Sequence, residues 1–140
     1  GYVEESPMPR LFRESPLNAI WEGSGNVIAL DILRTIAKEP ASLDQLAVEL
    51  ALARGSSRVF DAAADAFLAD LADHSASEWQ ARWAAERMAL LLQASLLLRH
   101  APGPIADAFV RTRLGAEAGR SFGAFASDMP VRPILDRHLQ

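Results

Sequence analysis

The 140-residue sequence contains no cysteine, which excludes disulfides, thiolate metal sites and cysteine nucleophiles. It has one tyrosine, one lysine (Lys38 against thirteen arginines) and only 7% aromatic residues. Val and Ile together supply just twelve residues, so strands are disfavoured and helix is favoured. There is no membrane-length apolar run: the longest, residues 88–98, is broken by Gln93 and Ser95 and falls short of the ~18 residues a span needs. No secretory signal opens the chain, so a cytoplasmic location is expected. The first residues are Gly1-Tyr2 rather than Met, and the sequence reads as part of something longer.

Half the residues are apolar and 23% are charged, which excludes a disordered or collagen-like chain. The length suits one compact domain. The net charge of −4 is a poor starting point for binding nucleic acid.

Residues 1–25 hold Pro7, Pro9 and Pro16 and three of the eight glycines, and no period persists there, so a mostly ordered loop is expected. From Asn26, a candidate cap, helical spacing runs through Val27, Ile28, Leu30, Ile32, Leu33 and Ile36 to about Lys38, and Pro40 ends it. Ser42-Leu43-Asp44-Gln45 is a capping-box pattern opening a second helix that Gly55 stops. A third starts at Ser57, with Val59, Phe60, Ala63, Phe67 and Leu71 on one face. Ser77-Glu78-Trp79-Gln80 is a second capping box ahead of the longest helix, about 78–99, apolar nearly all round in its second half and so expected at the centre of a bundle. Arg99 and His100 suit its C-terminal dipole. Pro104 can open a fifth helix, and Pro130 and Pro133 leave room for a short terminal one after the region of Gly119, Phe122 and Gly123. The predicted fold is all-α: a bundle of about five helices plus a short terminal one, preceded by a long ordered N-terminal loop.

The densest signal lies in the first 34 residues. They read Gly1-Tyr2-x-Glu4-Glu5-x-Pro7-x-Pro9-Arg10-x-x-Arg13-Glu14, then Ile20-Trp21-Glu22-Gly23-Ser24-Gly25-Asn26. This pattern resembles the flavin-dependent acyl-CoA dehydrogenases near the end of their catalytic region, and most closely their alkylation-response (AidB-type) branch. Trp21, Ser24 and Glu14 stand where that family more often has Tyr, Thr and Asp. The resemblance implies that residues 1–40 form the catalytic and flavin-contact loop with the last helix of the family's bundle, and that 41–140 form an added C-terminal helical region.

The implied reaction is α,β-dehydrogenation of an acyl-CoA thioester, with FAD as hydride acceptor and Glu22 as the base for the α-proton. Such a base must be anionic, poorly solvated and close to the α-carbon, so burial is expected to raise its pKa. Trp21 and Gly23 flank it as substrate-binding residues, one offering apolar cover and the other close backbone approach. Ser24, Gly25 and Asn26 fall where the family contacts FAD, at a helix N-terminus suited to electron-rich groups. From composition alone, Glu22 reads first as a solvated helix-start residue, and Trp21 reads equally as pocket wall or plain packing. Arg10, Arg13 and Glu14 read as ion pairs that pin the loop.

The remaining candidates are less specific. His74, His100 and His138 are isolated near helix ends, and no pair has metal-ligand spacing, so no metal site is expected. Trp79 and Trp83, one turn apart, read as core or interface packing. The family implies a homo-oligomer, with the Trp79/Trp83 face or the side carrying Ile28 and Ile32 as subunit surface. It also raises a second reading, a flavin-containing alkylation-response protein whose C-terminal helices bind DNA or a protein partner with little turnover. Residues 41–140 carry ten arginines against twelve acids, and 101–140 carry Arg111, Arg113, Arg120, Arg132 and Arg137 against four. Only folding could gather those five on one face. The chain alone is expected to be inactive.

Overall fold

Seven α-helices and two short 3-10 turns make up the computed structural model, which describes residues 3–73, 78–116, 124 and 128–138. Among the described residues there is no strand, and the all-α reading is what the structure shows. The helices are α1 (Met8–Glu14), α2 (Gly25–Lys38), α3 (Ala41–Ala51), α4 (Arg58–Asp73), α5 (Ala81–His100), α6 (Gly103–Arg113) and α7 (Val131–His138). The 3-10 turns are Ser15–Ala19 and Glu78–Gln80.

The opening segment is more ordered than a loop. Pro7 and Pro9 sit at and just inside the start of α1 with Pro7 at φ −70°, so these prolines begin a helix rather than break one. Arg10 Nε donates to Glu14 Oε1 at 3.0 Å along α1, and Arg13 Nη1 donates to Glu4 Oε1 at 2.7 Å. These are the ion pairs expected to pin the segment. Gly1 and Tyr2, which open the motif, lie outside the described residues.

Two helix starts differ from the sequence reading. α3 begins at Ala41 with Pro40 at its N-cap (φ −55°), so Ser42 is already inside the helix and makes no cap; its Oγ is buried without a hydrogen-bond partner. The fixed φ of proline nucleates the first turn ahead of the Ser side chain. α5 starts at Ala81, after the turn Glu78–Gln80, and Ser77 of the second capping pattern lies outside the described residues. Ser57 does act as expected, its Oγ accepting from Phe60 N at 3.4 Å. His74, Gly119, Phe122 and Gly123 lie outside the described residues, as does the side chain of His138.

α5 occupies the centre and packs against α2, α3, α4 and α6. One core cluster joins Leu50, Ala53, Phe60, Ala64, Phe67, Leu91, Ala94 and Val110. A smaller one joins Ala29 and Leu33 of α2 to Ala81 and Ala84 of α5, and half-buried Leu71 borders both. The Trp83 ring leans on Phe67 at 5.9 Å between centroids, whereas Trp79 is 96% exposed and takes no part in the core. Polar ties fix the helix ends: buried Ser95 donates to the carbonyl of Glu49, and Arg99 reaches the Glu49 carboxylate. Arg54, just past α3, pairs with Asp65 of α4. Gly115 closes α6 so tightly that a Cβ there would lie 2.7 Å from the Arg111 carbonyl oxygen.

Phe67→Ala is expected to cost about 3–5 kcal/mol in denaturant unfolding, since the cavity would open between α4 and α5. Trp79→Ala should fall within about 0.5 kcal/mol of the parent. A large effect at Trp79 would contradict its solvent-facing position.

The hydrogen bond from Arg54 and its charge hold the Asp65 carboxyl below the usual carboxylate range. The stabilisation is therefore complete above the unfolded-state value and is lost as pH falls through the lower folded one. In thermal melts between about pH 5 and pH 2, Asp65→Asn should lose less stability on acidification than the parent. Parallel melting curves for the two proteins would show that the pair contributes nothing.

Candidate functional site

The residues expected to carry chemistry occupy one turn and the first residues of α2. Ile20 N and Trp21 N both donate to Leu17 O at 3.0 Å, which ends the 3-10 turn Ser15–Ala19. The chain then takes two successive left-handed steps, Glu22 at φ +61° and Gly23 at φ +110°. Together these turn the backbone into α2. Glycine suits the second step, while a non-glycine residue at the first is strained. A Cβ on Gly23 would also touch Ile28 Cγ1 at 3.4 Å, so the turn lies close over the first turn of α2.

Ser24, in extended conformation (φ −65°, ψ 154°), is the N-cap of α2, and its carbonyl accepts from Ile28 N at 3.1 Å. Asn26, the candidate cap in the sequence reading, is instead inside the helix. The left-handed pair at 22–23 sets the chain direction two residues earlier than the Asn signal suggests. No side chain caps α2, and its first turn holds no acidic residue, so the donors of the helix start remain open to an incoming acceptor. Around Gly25 there is open space: a Cβ there would meet nothing within 4 Å.

Glu22 is exposed, and Trp21 (59%) and Ile20 (67%) stand out in solvent beside it. Among the described residues none leaves Glu22 buried, so the apolar cover expected over the carboxylate is not seen there. Trp21, Glu22, Gly25 and Asn26 are exposed, and Gly23 and Ser24 between them are half-buried. Among the described residues no His, Asp or Glu cluster is arranged to hold a metal ion.

One participant was invisible in the sequence. Arg82, in the first turn of α5, donates through Nη1 to Asn26 Oδ1 at 3.2 Å across 56 residues of chain. No local pattern marks it; only the packing of Ala29 and Leu33 on Ala81 and Ala84 brings it there.

Two of the five C-terminal arginines are held in ion pairs with acidic neighbours. Arg111 is held between Asp107 (3.6 Å) and Asp128 (2.8 Å), and Arg132 by Asp136 (2.9 Å). Arg120 lies outside the described residues.

No family model matches the chain. Two curated proteins are similar to it. One, from Escherichia coli (strain K12) and named "Putative acyl-CoA dehydrogenase AidB", is 36% identical over 119 residues, 85% of this chain and 22% of its own length. The chain is similar to part of a protein named as an acyl-CoA dehydrogenase. The other protein, "Acyl-CoA dehydrogenase family member 11" of Caenorhabditis elegans, is 43% identical over 37 residues, 26% of this chain and 6% of its own length. The chain therefore spans about a fifth of the first of these relatives, and the AidB-type resemblance reaches well beyond the opening motif into the helical region.

The left-handed backbone supplies a test of strain at Glu22. Glu22→Gly removes an exposed side chain from a left-handed position, so stability should hold or rise by up to about 1 kcal/mol. A loss of more than about 1 kcal/mol in urea unfolding would show that the Glu22 side chain is needed to build the turn.

Proposed function

We propose that this chain is the C-terminal part of a FAD-dependent acyl-CoA dehydrogenase-like oxidoreductase. On this reading, residues 1–40 form the catalytic and flavin-contact segment with the last helix of the bundle. Residues 41–140 form an additional helical region that braces it. The observation that carries the reading is Glu22, held in a left-handed turn directly ahead of an uncapped helix start, in a chain related to AidB.

The donor set at 24–26 fits an electron-rich group such as FAD: unshared backbone N–H groups, no acidic side chain, and room at Gly25 for close approach. FAD, when bound, supplies the two-electron acceptor for the hydride that leaves the β-carbon. Glu22 takes the α-proton onto its carboxylate and becomes a neutral acid; the electron pair left on the α-carbon, shared with the thioester carbonyl, becomes the α,β double bond as the β-hydride leaves. The Glu22 backbone N–H can donate to that carbonyl oxygen, as an oxyanion-hole donor does. Trp21 and Gly23 bracket the thioester. A proton leaves an α-carbon readily only when the base is shielded from water. Glu22 is exposed in this chain, so the isolated chain is expected to be inactive.

An anaerobic titration of the full-length protein with acyl-CoAs of several chain lengths, followed by flavin absorbance, tests the reading. Bleaching is expected, and Glu22→Gln should slow it by at least about a hundredfold. Bleaching that survives the change would move the base elsewhere, and flavin that no thioester bleaches would end the dehydrogenase reading.

A further inference from the structure

Arginine has only donors, so the atom it meets on Asn26 must be the amide oxygen. The bond from Arg82 Nη1 to Asn26 Oδ1 (3.2 Å) therefore settles which way the amide faces: the carbonyl toward α5, the NH2 group away from it. Asn26 sits in the first turn of α2, beside the open backbone donors of the helix start. Without Arg82 the amide could rotate and present either an acceptor or a donor, with nearly equal shape. With Arg82 in place it presents donors only. A cation beside a helix N-terminus is also electrostatically unfavourable for the helix itself, because that end of the dipole is already positive. The position weakens α2 slightly while favouring an electron-rich occupant.

We propose that Arg82 is a positioning residue for the cofactor turn: α5 orients the Asn26 amide so that its NH2 group, together with the start of α2, donates to FAD. The inference rests on the reading of residues 24–26 as flavin contacts. It gives the C-terminal helical region a defined task at the site, carried by one side chain and by the Ala29–Leu33 packing on Ala81 and Ala84 that sets its reach.

The test uses the full-length protein stripped of flavin and titrated with FAD. Variants are Ser24→Ala, Asn26→Ala, Arg82→Met, Arg82→Lys and the double change Asn26→Ala with Arg82→Met; circular dichroism checks that each is folded. The readouts are the FAD dissociation constant and the visible absorption bands of the bound flavin. One oriented hydrogen bond predicts about a three- to tenfold weaker affinity for Asn26→Ala and for Arg82→Met, with a shift in the bands. The double variant should be no weaker than the worse single one, and Arg82→Lys, which still donates, should recover most of the loss. Weakening by Asn26→Ala but not by Arg82→Met would overturn the positioning role and leave the flavin-contact reading standing. So would losses that add in the double variant, because Arg82 would then act apart from Asn26. If neither Asn26→Ala nor Ser24→Ala changes affinity, the flavin-contact reading fails and the role of Arg82 falls with it.

Discussion

Everything in this fold hangs on what α5 allows to come near it. Its buried positions are Ala81, Ala84, Leu91, Ala94 and Ser95, four of them small, so neighbouring helices can approach its axis closely. α2, α3, α4 and α6 all pack on it. The contact with α2 uses Ala29 against Ala81 and Ala84, and a larger side chain at any of the three would push the helices apart. That separation is also what sets the distance from Arg82 to Asn26. Core packing and the candidate site are therefore one constraint, met at the same end of the helix pair, where Asn26 lies one turn before Ala29 and Arg82 lies between Ala81 and Ala84.

Much of the architecture was legible because it depends on local chemistry. The helical spacing of Phe60, Phe67 and Leu71, the cap at Ser57 and the central place of the longest helix all follow from period and burial. At two of the places where expectation and structure part, a proline is involved. Pro7 and Pro9 begin α1 inside what reads as loop, and Pro40 starts α3 before Ser42 can cap it. A proline stops one helix and pre-organises the next with the same fixed φ, and the sequence does not say which role applies. Trp79, read as core or interface packing, stays out of the core for a different reason: it lies in the turn Glu78–Gln80 ahead of α5 and is exposed.

The site was legible only along the chain. Residues 21–26 are contiguous, so their proximity needed no fold. The left-handed backbone at Glu22 could not be read, since Glu has no preference for it, and Asn26 looked like the cap that Ser24 proved to be. Arg82 lies 56 residues away, and long-range pairs of this kind leave no trace in spacing.

Strain at Glu22 persists only because its surroundings leave the chain no alternative. α2 is held on α5 by the Ala29–Leu33 cluster, Ile28 closes under Gly23, and Leu17 O gathers the two amides ahead of the turn. The carboxylate is thus presented by a rigid frame rather than by a loose loop, yet it faces water. Ile20 and Trp21 on one side of it in the chain and Val27 and Ile28 on the other are exposed apolar residues. A surface that covers these residues together with the turn at 22–23 also removes water from the carboxylate. Covering the apolar residues is favourable by the apolar area removed from water, and desolvating the carboxylate is not. The first term can drive the second. On the proposed reading, that is how the free energy of assembly becomes the basicity that proton abstraction from a thioester requires.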